Sequence, residues 1–372
     1  MDSFLYAHAE APQWQAAVDR ALDTLGAIPA AATLGFVYVT DHFAADFHAI
    51  VERLRSCADS VAWIGTVGVG ICSTGIEYHD RPAIALMLCT LPRESFSTFV
   101  LAADGGVSEV GGSLRRSSGG QPPFAVVHAD PRTADLASML DRAGSAMGDA
   151  FLVGGLSSSR TCYAQVAGEV FDAGVSGVLF SSEVAVTTRL TQGCCPIGPR
   201  RRVTASRDNI IVSIDGRPAL DVFREDIGDL LARDLQLAGN YILAGLPVAG
   251  SDTGDYVARH VVGAEPGNRL LAIAEHVEPG EPIFFCRRDP QTAYEDLLSM
   301  LDRIRARGAA TARGALYFSC MGRGEAQFGP GSRELRTIQR GLGDVPLVGF
   351  FGNGEISGGR LYGYTGVLVL FL

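Results

Sequence analysis

Three apolar runs broken by glycine constrain this chain more than any other feature. They span residues 63–70, 151–159 and 346–355. Each follows, at a similar interval, a strand pattern (34–40, 124–128 and 314–320) and an amphipathic stretch with helical periodicity. The repeated unit is therefore a strand, a helix and a buried strand ending where the backbone packs closely or turns, a place that suits glycine. A recurrence so regular in pattern and so weak in identity implies internally duplicated α/β architecture, not a solenoid. Glycine-rich strand ends of this kind commonly line ligand crevices.

The 372 residues are enough for two domains, and 47% hydrophobic against 19% charged residues supports packed cores over disorder. A net charge of −10 argues against nucleic acid or an anionic membrane as partner. Every one of the 31 basic residues is arginine, which removes lysine Schiff-base and P-loop chemistry. No basic-then-apolar leader begins the sequence and no apolar run approaches the roughly 18 residues of a membrane span, so a cytoplasmic location is expected. Eight cysteines without CxxC spacing read as reduced thiols, with no structural zinc.

The expected fold is mixed α/β (α+β), with two related modules, 1–217 and 218–372, each of mixed sheet flanked by helices. Helices are expected at 13–26, 44–58, 133–147, from 219 past 231, and 291–305. Further strands are expected at 82–89, 174–180, 183–189, 269–274, 283–287 and 366–372, with a glycine- and serine-rich loop over 104–123.

Three short stretches carry a family resemblance. Thr191 to Pro199 resembles the "GC-PIGP" signature of the N-terminal FIST module. Ser319 to Gly324 resembles the "SC-GRG" signature of the C-terminal module, and Gly349 to Ile356 resembles "GFF-GEI". They occur in the expected order, and the similarity spans roughly residues 30–370. The chain is thus similar to FIST domain proteins in their stand-alone bacterial form. The resemblance implies a sensory role, a small ligand such as an amino acid, and a signal passed to a separate protein such as a histidine kinase. Some members are similar to nitric-oxide-responsive haem sensors, so the cofactor expectation is none, with haem as the alternative.

The candidate ligand-binding residues are Arg323, Glu355, Phe350, Phe351, Asn353, Cys320, Ser157 and Ser158. Arg323, between two glycines, is expected on exposed backbone, and Glu355 follows Asn353-Gly354 at the neighbouring strand end. The pair would meet the carboxylate and ammonium of an amino acid against an apolar wall of Phe350 and Phe351. The competing reading is an Arg323–Glu355 ion pair without ligand. Ser157 and Ser158 offer hydroxyls to an anion or simply form a polar turn. Cys194 and Cys195 precede Arg200, Arg201 and Arg202, whose charge would favour a reactive thiolate; the alternative is a pair of small buried hydrophobes. The seven histidines show no paired metal spacing, and His42 and His79 are the candidates for a single haem ligand. A thiol-dependent enzyme stays open as a third function.

Overall fold

Parallel neighbouring strands need a crossover connection, and in all three predicted units a helix supplies it. Leu34–Thr40 pairs parallel with Ala62–Gly68 across the helix Phe47–Cys57. Phe124–Ala129 pairs with Phe151–Leu156 across Leu136–Ala146, and Gly314–Cys320 with Leu347–Gly352 across Arg333–Leu342. The computed structural model describes residues 4–101, 107–111, 123–248, 255–306 and 312–372.

The registers make the units superimposable residue by residue. Val37 faces Gly65, Val127 faces Gly154 and Tyr317 faces Gly349. In each case a Cβ on the glycine would lie 1.7–1.8 Å from the carbonyl oxygen of the facing residue. These three glycines are required by one repeated close approach of backbone to backbone.

Each glycine strand is followed by a short hairpin that joins the sheet of another repeat. Gly70–Ser73 and Ile76–His79 pair with Leu347–Gly352 of the third repeat. Gln165–Ala167 and Glu169–Phe171 attach to Ala62–Gly68 of the first, and Glu355–Ser357 and Arg360–Tyr362 to Phe151–Leu156 of the second. The exchange is cyclic. An antiparallel strand then returns beside the first strand of its own repeat: Ala83–Cys89, Val175–Phe180 and Thr365–Phe371. A further strand lies outside it in each sheet: Leu5–Glu10, Phe96–Leu101 and Val186–Gln192.

One face of each of these three sheets meets a shared core containing Phe36, Tyr38, Phe124, Phe180, Phe318, Phe350 and Phe371. The alternation of strand side chains sends Val37 and Val39 to the other face, where they pack with Ile50, Val51 and Leu54 of the crossover helix.

The chain divides into two compact units, 1–192 with 296–372, and 193–295. The three repeats make the first, and a boundary at 217/218 falls inside the second. That second unit is an antiparallel ring: Arg201–Arg207, Ile210–Ile214, Leu270–Ile273, Tyr256–Glu265, Ile242–Pro247 and Pro282–Arg288 pair in that order. Pro282–Arg288 closes it by pairing back to Arg201 and Arg202. Its core includes Val203, Ile214, Phe223, Ile242 and Phe285.

Two expectations shift. The alternating stretch at 183–189 begins with a turn, and the strand is Val186–Gln192, pinned by pairing with Thr365–Phe371. Within the expected loop at 104–123, Val107–Gly111 is a strand on Phe96–Leu101, and 104–106 and 112–122 lie outside the described residues.

Candidate functional site

The register places Tyr38, His128 and Phe318 at equivalent positions of the three repeats, and the three side chains meet. Tyr38 and His128 lie 5.5 Å apart edge-on, with Phe318 6.4 and 6.2 Å from them. Phe350 packs on all three, at 5.3–5.8 Å. Phe350, expected to wall a ligand pocket, is the plug of this aromatic centre. The Tyr38 hydroxyl and His128 Nε2 are 3.1 Å apart, while His128 Nδ1 finds no hydrogen-bond partner among the described residues. Burial lowers the His128 pKa to about 3, so the ring is neutral.

Arg323 follows the end of Gly314–Cys320 and is completely buried, not exposed. Its partner is Glu334, on the first turn of Arg333–Leu342: Arg323 Nε donates to Glu334 Oε1 at 2.8 Å. Nη2 lies equally near that oxygen without the direction of a hydrogen bond. Glu334 also accepts from the Tyr317 hydroxyl at 2.7 Å and from Gly324 N at 2.9 Å. Arg323 stands over the Phe328 ring, 5.0 Å from its centroid. The glycine after Arg323 serves close approach: a Cβ there would lie 2.7 Å from the His79 ring and 3.0 Å from the Glu77 carboxylate.

Glu77 and His79 arrive from the first repeat's exchanged hairpin. Buried Glu77 accepts from Leu335 N at 3.2 Å and stands 2.9 Å from His79 Nε2. Burial raises the Glu77 pKa against the opposing effect of His79. The His79 ring rests 4.3 Å from that of Phe351.

Glu355 is also completely buried. Its Oε2 accepts from the Thr365 hydroxyl at 2.6 Å and from Thr365 N at 3.2 Å, and Oε1 finds no hydrogen-bond partner among the described residues. Burial raises its pKa to about 8, the Thr365 bonds and the Arg323 charge notwithstanding, so at neutral pH this carboxyl is largely protonated. Arg323 therefore acts on Glu355 through its field, and its ion pair is with Glu334.

The repeats show which of these groups the fold itself needs. Ile356, Val166 and Cys72 stand opposite the three equivalent glycines, so Glu355, Gln165 and Ile71 are equivalent. Gln165 is satisfied on both amide atoms, its nitrogen donating to His128 O (2.9 Å) and its oxygen accepting from Asp130 N (3.0 Å). An amide and an isoleucine serve in the other two repeats. An acid is particular to the third.

The other expected residues gather at the same strand ends. Ser158 Oγ donates to Phe351 O at 2.5 Å and accepts from Val69 N, and Ser157 Oγ is 2.6 Å from Thr66 Oγ1. Both serines are buried in bonds that hold repeats together. Asn353 is exposed, its N bonded to Leu156 O. Cys320 is 8% exposed, and burial with the nearby Glu355 raises its thiol pKa to about 12.

Cys194 and Cys195 form a strand with Pro196 in the ring unit, and their register partners are Arg288 and Arg287. Of the arginines expected to activate them, Arg201 forks onto Asp226 at 2.6 and 2.9 Å, and Arg202 bonds the Gly280 carbonyl. The Arg201 charge is thus paired elsewhere. Cys194 is buried and Cys195 partly so.

His79 Nε2 faces Glu77 while Gly324 backbone packs on the ring, and His42 lines an open pocket of about 430 Å³ with Pro12, Trp14 and Asp46. Neither is set as an axial ligand in a deep apolar pocket. No group of three or more metal-type side chains occurs among the described residues. No helix among them is long and apolar enough to cross a membrane.

Sequence reasoning missed Glu334, Glu77 and Thr365. Glu334 had a signal: with Ile338 and Leu342 it sits at i, i+4, i+8, on the apolar stripe of its helix.

A mixed α/β protein of three exchanged repeats, with an ionisable cluster buried in one of them, is the class that fold and site define. Family comparison is more particular: the FIST N domain matches residues 33–217 and the FIST C domain residues 219–358. The chain belongs to the FIST family. An uncharacterized protein of Mycobacterium bovis is 30% identical over 376 residues, covering 96% of this chain and 95% of the relative. An uncharacterized protein of Mycobacterium tuberculosis is 30% identical over 339 residues, 87% of each chain. FIST domains are associated with signal transduction and small-ligand sensing.

Proposed function

We propose that this chain is a sensory protein that binds a small ligand at the strand ends of its third repeat and signals through a separate partner. The observation that carries the reading is the asymmetry among repeats. Glu355 occupies a place that Ile71 and Gln165 fill in the other two, and beside it Arg323 and Glu334 are fully buried. Burying ionisable groups is costly and the fold does not require an acid at that place, which favours function as the reason for it. Asn353 and Met321 are exposed at the ends of Leu347–Gly352 and Gly314–Cys320, the strand ends that carry these groups. An amino acid is the ligand class suggested by the family resemblance, and a histidine kinase is the kind of partner.

A thermal-shift panel of amino acids and small organic acids tests the reading, since a ligand selective for the native state raises Tm by mass action. The expected result is a ligand whose shift is lost in Glu355→Leu and kept in Glu225→Ala, a surface change in the ring unit. A shift indifferent to Glu355→Leu places the site elsewhere.

A further inference from the structure

Glu355 was expected to act as a counter-ion for an ammonium group. Its surroundings reverse that chemistry. Oε2 is occupied as an acceptor by both Thr365 donors. The carboxyl proton therefore resides on Oε1, the oxygen without a partner among the described residues. A neutral carboxyl bonded in this way presents an O–H donor. Arg323 Nη2 is a second buried donor: it lies 2.8 Å from Glu334 Oε1 but without a directed hydrogen bond, while Nε bonds Glu334 and Nη1 bonds Tyr364 O. Two buried donors without a directed hydrogen bond call for an oxygen acceptor.

We infer that the third-repeat site takes a ligand through an sp² oxygen, carbonyl or carboxylate, which accepts from Glu355 Oε1–H and Arg323 Nη2. This rests on the ligand-site reading above and fixes the polarity of that site. The groups facing Glu355 are Cys320 and Arg323 after the 314–320 strand, Glu334 from the 333–342 helix, Thr365 from the last strand, and Tyr362 opposite it in the hairpin. Burial, the largest effect, and the Glu334 charge oppose ionisation, and they outweigh the two Thr365 hydrogen bonds and the Arg323 charge, which favour it.

The sign of the pH dependence distinguishes a donor from a counter-ion. With its pKa about 8, the protonated fraction falls from about nine-tenths at pH 7 to about one-tenth at pH 9. The probes are formate, acetamide and methylammonium, titrated by ligand-observed NMR at fixed ionic strength. Formate or acetamide should bind at pH 7 and about tenfold more weakly at pH 9. Their relative affinities separate a carboxylate source from a neutral carbonyl. Glu355→Gln keeps an N–H donor where Gln165 is already tolerated, so it should retain binding and lose the pH dependence. Infrared spectroscopy of the wild type gives a readout independent of any variant: a neutral-carboxyl C=O band that disappears as pH rises through about 8. Methylammonium binding that tightens between pH 7 and pH 9 would overturn the donor assignment and leave the site reading standing. Probe binding unchanged in Glu355→Leu, or no binding by any probe, would overturn the site reading itself and leave a water as the acceptor.

Discussion

His128 lies where the three repeats converge, and burial holds it neutral down to about pH 3. An unfolded chain protonates that imidazole near 6.5. Between those values the unfolded state binds a proton the native state refuses, so stability present above about pH 6.5 is lost as pH falls toward 3. Between pH 7 and pH 5 the loss from this residue is about 2 kcal/mol. The double variant Tyr38→Phe/His128→Phe, which copies Phe318 and strands no hydroxyl, should show a urea stability flatter by that amount over the same range. An unchanged slope would mean that His128 titrates in the native protein. At Arg323 the expectation from sequence is reversed: glycines on both sides suggested exposure, but Gly324 lets buried backbone approach Glu77 and His79. Arg323→Ala leaves Glu334 without its cation and should cost about 3–5 kcal/mol in urea unfolding, far more than an exposed arginine would. A loss under about 1 kcal/mol would place Arg323 in solvent.

At the level of elements, the strand–helix–strand units were legible because each carries its signal locally: a continuous apolar strand, a helical period and a glycine where backbone meets backbone. Gly65, Gly154 and Gly349 are one constraint written three times. Alanine at any of them puts a methyl within 1.8 Å of a carbonyl oxygen and should destabilise by about 3 kcal/mol or more. Gly216→Ala, with open space around its Cβ, bears only the cost of its positive φ, about 1–2 kcal/mol. Comparable losses at Gly65 and Gly216 would refute the close-approach account. The hairpins were not legible. Each comprises two short strands whose partner lies in another repeat, and no period within such strands names a remote partner. The buried cluster was half legible for the same reason, since Glu77 reaches Leu335 only through hairpin exchange. The exchange makes the three repeats mutually dependent. Amides of 62–68, 151–156 and 347–352 should therefore exchange hydrogen through a single opening of equal free energy, and Ile71→Ala in the first repeat's hairpin should lower all three together. Three separate opening energies would show that the repeats unfold independently.

For the whole molecule, the order of the chain and the order of its compact units disagree, and the reason lies at one junction. The third repeat begins with Val186–Gln192 and resumes at Asp296, with residues 193–295 between. The two ends are tied together without the intervening segment, because the Asp296 carboxylate accepts from Thr191 Oγ1 at 2.8 Å and from Gln192 N at 2.6 Å. An inserted ring closed by its own strand pairing satisfies its backbone internally, and a repeat body whose broken ends already meet needs no more than a short bridge. Replacing 193–295 with a short Gly/Ser linker should thus yield a folded repeat body. Asp296 would then stand near the start of the shortened helix, where a carboxylate is favourable. The expected outcome is a cooperative urea transition, retention of the buried His128 and Glu355 environments by NMR, and the same response to small ligands as the full chain. Residues 193–295 expressed alone should fold as the antiparallel ring. A repeat body that unfolds on losing the ring would make the insertion part of its core; one that folds but no longer takes ligand would assign the ring a share in the site.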